Sequence, residues 1–83
     1  MLVEKPNEPI RVMADFYGAK VRPEYFIRGN RRYEVKSINL VFRRAVGDHY
    51  LWCFAVSDDA NTFVLSYNPD SLQWRLEEVQ MDG

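Results

Sequence analysis

The stretch Arg32-Tyr33-Glu34-Val35-Lys36-Ser37-Ile38-Asn39-Leu40-Val41-Phe42 governs the reading of the whole chain. Successive side chains on a β-strand point to opposite faces, so residues of one parity share a face. Tyr33 and Val35 are apolar on one parity, and Ile38, Leu40 and Phe42 on the other. A strand cannot change its apolar face without an extra residue. The pattern predicts a bulge or bend near Lys36-Ser37, giving one long bent strand or two short ones.

Strand signals continue on both sides. Upstream, Glu24-Tyr25-Phe26-Ile27-Arg28 has strong β propensity, and Gly29-Asn30 links it to Arg32–Lys36 as a hairpin. Pro23 disfavours helix at Arg22. Ile10, Val12 and Ala14 alternate with Arg11, Met13 and Asp15, which predicts a first strand near 9–17, ended by a turn or bulge at Gly18. Downstream, Val46-Gly47-Asp48-His49 reads as a turn. Tyr50–Val56 then reads as a central strand with Tyr50, Trp52, Phe54 and Val56 on one face. Asp58–Asn61 and Asn68–Ser71 are turns of residues that bond their own backbone. Phe63, Leu65 and Tyr67 alternate between them, and Leu72, Trp74 and Leu76 after them. A helix over 72–81 is the alternative for the last segment, but its strict alternation favours a strand.

The fold class expected is therefore all-β, with five or six antiparallel strands in meander order. The aromatic share, 14%, exceeds what one sheet face needs, so the sheet is expected to curl into a small barrel or half-barrel. The expected core is Trp52, Phe54, Phe63, Leu65, Trp74 and Leu76. Eighty-three residues make one domain. Its expected bounds are 10–80, with a loose arm at 1–9 carrying Pro6 and Pro9 and a frayed tail at 81–83.

Composition narrows the function. A chain 47% hydrophobic and 28% charged is globular. No apolar run approaches the ~20 residues of a membrane span, and Leu2-Val3-Glu4-Lys5-Pro6 after Met1 has no apolar leader core. The expectation is a cytoplasmic protein with no membrane partner. One Cys and one His leave little for disulfide, metal or acid–base chemistry. His49 and Cys53 share a strand face but lie about 13 Å apart at ~3.3 Å per residue, too far for one ion. Asp58-Asp59 and Glu77-Glu78 are adjacent pairs whose members point to opposite faces, so neither is a proton-sharing dyad. Gly29 and Gly47 are isolated and cradle no phosphate. No catalytic residue, cofactor or small-molecule substrate is expected, and the chain is read as non-enzymatic.

Charge supplies the remaining signal. Residues 11–44 hold nine basic residues against three acidic ones, and residues 45–83 hold Arg75 alone against seven acidic ones. The two halves can pair with each other, or the basic half can form a binding face. The candidate binding residues are Arg28, Arg31, Arg32 and Lys36, interleaved with Tyr25 and Tyr33. Small β-barrels hold single strands with such a combination, by stacking bases and tracking phosphates. A net charge of −1 argues against indiscriminate nucleic-acid affinity.

Residue order adds a resemblance. Glu8-Pro9-Ile10 with Val12, Arg22-Pro23, Phe26, Gly29, Tyr33 and Val35, then Trp52 and Phe54, then Asp70, Trp74, Leu76 and Val79 span nearly the whole chain. In these positions it resembles a family of short, uncharacterised bacterial β-rich proteins, a domain of unknown function. The family tends to carry Trp near Ile27, before the Gly, and this chain does not. The resemblance implies a compact β fold and assigns no activity. Some relatives occur beside translesion-type DNA polymerases, which implies a DNA-repair setting. The expected function is an interaction module binding a protein partner or itself. The alternative is a weak single-stranded nucleic-acid binder using the basic, aromatic hairpin.

Overall fold

The computed structural model describes residues 2–81, and among them every regular element is a strand. In chain order these are β1 (Leu2–Glu4), β2 (Glu8–Tyr17), β3 (Lys20–Arg28), β4 (Arg31–Glu34), β5 (Ser37–Val46), β6 (His49–Ser57), β7 (Asn61–Asn68) and β8 (Gln73–Met81). All pairings are antiparallel, in the order β4-β3-β2-β8-β7-β6-β5, with β1 also on β8. The all-β expectation holds, but there are eight strands rather than five or six. Their order joins two meanders, β2–β4 and β5–β8, through a β2–β8 contact.

The differences have local causes. The arm expected to be loose carries β1, because Leu2–Glu4 finds a free edge on β8 opposite Val79–Met81. Lys5-Pro6-Asn7 then breaks the strand, and Glu8–Ile10 resumes on the same edge opposite Trp74–Leu76. Proline has no amide to give the ladder, and Asn7 sits at φ 45°. Of the tail expected at 81–83, Met81 closes β8, and residues 82 and 83 lie outside the described residues.

The bend expected near Lys36-Ser37 falls between β4 and β5. The amide of Val35 donates to Glu24 on β3 at 3.0 Å, and the next amide, Lys36, donates to Ser57 on β6 at 2.9 Å. The chain thus leaves one sheet edge and joins the other, linking both edges at that end. Beyond this point β5 pairs with β6 alone, and Lys20–Pro23 of β3 pairs with β2 alone. The sheet is a half-barrel, closed near residues 35–36 and split by a seam above them.

A second irregularity went unread in the sequence. The β5–β6 register shifts between Ile38 and Leu40, so that Ile38 opposes Val56 while Val41 opposes Phe54. Val41 therefore joins Ile38 on the inner face. Leu40 and Phe42 turn outward, which corrects the expectation that Ile38, Leu40 and Phe42 share one face.

The core fills the barrel with Phe26, Phe54, Val56, Phe63, Leu65, Tyr67, Trp74, Leu76 and Val79. Phe26 stacks on Tyr33 at 5.0 Å and meets Phe63 edge-on at 5.1 Å; Trp74 lies 4.8 Å from Tyr67 and 5.5 Å from Phe54. Such pairs add about 0.5–1.5 kcal/mol beyond area burial. Five of the six expected core residues are buried. Trp52 is 39% exposed, and its expected burial is corrected here.

The turns hold by the expected chemistry. Asp58 Oδ1 accepts from the amides of Ala60 and Asn61 at 2.8 and 2.7 Å. Asn68 Oδ1 accepts from Asp70 at 2.9 Å. Gly29 and Gly47 each open a two-residue hairpin loop at φ 61°, a conformation that L side chains resist.

Candidate interaction surface

Two regions compete as a binding surface, and their surroundings separate them. The first is the β3–β4 hairpin with its six candidate residues. Arg28 is held by Glu8, with Nε 2.5 Å from the carboxylate. Arg32 bonds Glu34 at 2.7 Å, and its guanidinium lies 3.6 Å over the Tyr25 ring. Arg31 lies 5.1 Å over Tyr33, whose other neighbours are Phe26 and Phe63. Tyr33 is thus a core ring, and Tyr25 is a ring already covered. Arg31, Arg32 and Lys36 line a shallow hollow of about 200 Å³ together with Asp58 and Asp59. The hairpin and the acidic turn that the sequence set far apart are neighbours here. The candidate residues come together, with several of their partners supplied from within the chain.

The second region is the far end of β5 and β6, which charge and motif reading passed over. β7 pairs with β6 only from Trp52 to Ser57, so residues 43–51 have no strand beside them but their own hairpin. Inward, this hairpin shows Val41, Arg43, Tyr50 and Trp52. Arg43 lies 4.9 Å from the Tyr50 ring and 5.6 Å from that of Trp52. Outward, it shows Leu40, 57% exposed, with Phe42 and Val46. The seam between β3 and β5 forms a groove of about 410 Å³ floored by Val21, Ile38, Val41, Trp52 and Phe54, with Lys20 and Arg22 on its rim. The missed signal was the apolar count on both parities of 40–46, which one buried face cannot use.

The chain matches no family model, no curated protein and no solved structure.

Its surfaces are therefore read from their own chemistry. Across the outer face, Arg44 of β5 reaches Glu77 of β8 at 2.7 Å. Between those strands lie Cys53 and Ser66, both buried. Burial alone would raise the Glu77 carboxyl. The bond from Arg44, the Ser66 hydroxyl and the charges of Arg44 and Arg75 outweigh it and hold the carboxyl below its ordinary range. Burial pushes the Cys53 thiol up, with the Glu77 charge adding and Arg44 opposing. A thiol kept neutral in this way is poorly suited to act as a nucleophile. Among the described residues no group of His, Cys, Asp and Glu side chains is placed to hold a metal ion. Among the described residues no helix is long and apolar enough to cross a membrane.

Proposed function

We propose that the protein is a non-enzymatic interaction module that docks a protein through the β5–β6 end of the half-barrel. The observation that carries this reading is apolar exposure on both faces of one projecting hairpin. Leu40, Phe42 and Val46 lie on one side, and Val41, Tyr50 and Trp52 on the other. Monomers expose single apolar residues freely, but a contiguous patch of this kind marks an interaction site. A nucleic acid would use one face as a stacking platform and leave the other wet. On the inner face, Arg43 already lies over the rings that a base would need.

The test is a photo-crosslinking side chain placed at Phe42 or at Tyr50, on opposite faces, in the living cell. The same adduct from both positions, absent from a control at Asp59 and lost on Trp52→Ala, supports the reading. An adduct of twice the chain mass identifies the partner as a second copy. No adduct at either position, or an equal one at Asp59, overturns it.

A second reading, a weak single-stranded nucleic-acid binder with a DNA-repair role, rests on Arg31 and Lys36. Both are exposed, and neither makes an ion pair among the described residues. Their neighbours Asp58 and Asp59 would repel a phosphate backbone, which ranks this reading second.

A further inference from the structure

β5 is an unguarded edge. It is ten residues long, contains no proline, and among the described residues pairs with β6 on one side and with no strand on the other. Proteins usually protect such an edge with short strands, prolines or charges, because its unpaired amides and carbonyls are a template for another strand. Here the charges stand at one end only, at Arg43 and Arg44, and Arg44 is taken by Glu77. The inner side of the edge faces an apolar floor. Lys20 and Arg22 stand on the opposite rim, and among the described residues no carboxylate lines the groove.

Resting on the reading above, we propose that the seam takes an extended segment of a partner protein, added as a strand to β5, with apolar residues alternating and carboxylates toward the rim. Strand addition draws affinity from main-chain hydrogen bonds and selectivity from pockets for alternate side chains. Apolar side chains of the segment would cover Val41 and Trp52 inside the groove. Its carboxylates would face Lys20 and Arg22, the two cations that line this seam. A second copy of the chain is the weaker occupant. Its own β5 carries no carboxylate, so it would add arginines to a rim already cationic.

The probe is a display library of random peptides about as long as β5, selected on the full chain at low salt. The expected winners alternate β-branched or aromatic residues with Asp or Glu. A synthesised winner should bind about tenfold more weakly to the Lys20→Glu/Arg22→Glu double variant, whose altered side chains are both exposed. It should lose a similar factor when N-methylated on one alternate set of amides, and little when methylated on the other. Basic or unpatterned winners, equal binding to the double variant, equal effects of the two methylation sets, or no winners at all would each overturn the proposal. Should these outcomes occur while Phe42 and Tyr50 still crosslink to one partner, the hairpin docks a protein in another manner. Should crosslinking fail as well, the surface itself is wrong.

Discussion

The β3–β4 and β5–β6 hairpins are built alike and end differently. Each turns through two residues, with a glycine at φ 61° in the first position. Each sets arginine over aromatic rings, Arg31 and Arg32 in the first and Arg43 in the second. In the first hairpin the inward rings, Phe26 and Tyr33, meet Phe63 across the barrel. In the second, Tyr50 is 52% exposed and Trp52 is half-open, because no strand stands opposite them. The difference lies in what faces the rings. A Trp in the most apolar strand of the chain is left exposed when the sheet stops short of closing over it.

The largest expected effect tests that contrast directly. Phe54→Ala, inside the closed core, should cost about 3–5 kcal/mol, enough to unfold a domain this small. Trp52→Ala, two residues away on the same face, should cost about 1–2 kcal/mol, since much of its surface is already wet. Urea melts of both variants decide it. Equal losses would mean that the open end is packed like the core.

Much of the closed end is legible in the amino-acid sequence. Alternation located β2 and β5–β8, turn residues located the loops, and the parity change at Val35–Ile38 located the bend. The open end was not legible, for two physical reasons. Parity cannot register a bulge placed in a run apolar on both parities, and Leu40-Val41-Phe42 is such a run. Nor can alternation say which strand will lack a neighbour, because pairing depends on how far each partner extends. Local grouping with rings singles out the candidate cations. Their carboxylate neighbours Glu8 and Asp58 lie 20 or more positions from the arginines they approach, beyond any local pattern.

A middle-sized effect concerns what anchors the projecting hairpin. Arg44 and Glu77 tie β5 to β8 over two intervening strands. Glu77→Gln removes the charge and should cost about 1 kcal/mol, a value set by a partly exposed, charge-assisted bond. The acid limb supplies the sign. The Glu77 carboxyl is depressed in the folded state, so its contribution is complete above the unfolded carboxylate value near ~4.3. It is lost as pH falls through the lower folded value. Wild type and Glu77→Gln should therefore converge in stability below that window. Constant separation from neutral pH down to the acid transition would show that the loss is one of packing rather than charge.

The first hairpin should prove nearly indifferent. Arg31→Ala/Arg32→Ala removes two cation–π contacts and one exposed ion pair, together about 0.5–1 kcal/mol. Binding to a single-stranded oligonucleotide should be negligible, and the double variant should leave it so. A wild-type affinity that weakens with salt at a log–log slope of about −0.7 per phosphate, made shallower by the double variant, would reverse the ranking of the two hairpins.

The smallest effect is a change of order rather than of size. Leu72, 70% exposed in the turn between β7 and β8, sits at φ 62°. Its amide donates to the Asn68 carbonyl at 2.7 Å, which holds the turn in that conformation. The left-handed region costs an L residue roughly 1–2 kcal/mol and glycine almost nothing. In most positions Ala is more stable than Gly by about 0.5–1 kcal/mol, because glycine loses more chain entropy on folding. At Leu72 the conformational term outweighs the entropic one. Leu72→Gly should therefore melt higher than Leu72→Ala by about 0.5–1 kcal/mol. Both variants lose the leucine side chain beyond Cβ, so their difference chiefly reports the backbone. Asn7, at φ 45°, is the other non-glycine residue in this region among those described, and asparagine tolerates it. A leucine kept there, with an exposed apolar side chain, is strain without a folding benefit in the isolated chain. If Leu72→Ala instead proves the more stable, the turn has relaxed out of the left-handed region, and the open end is less rigid than the hairpin contrast assumes.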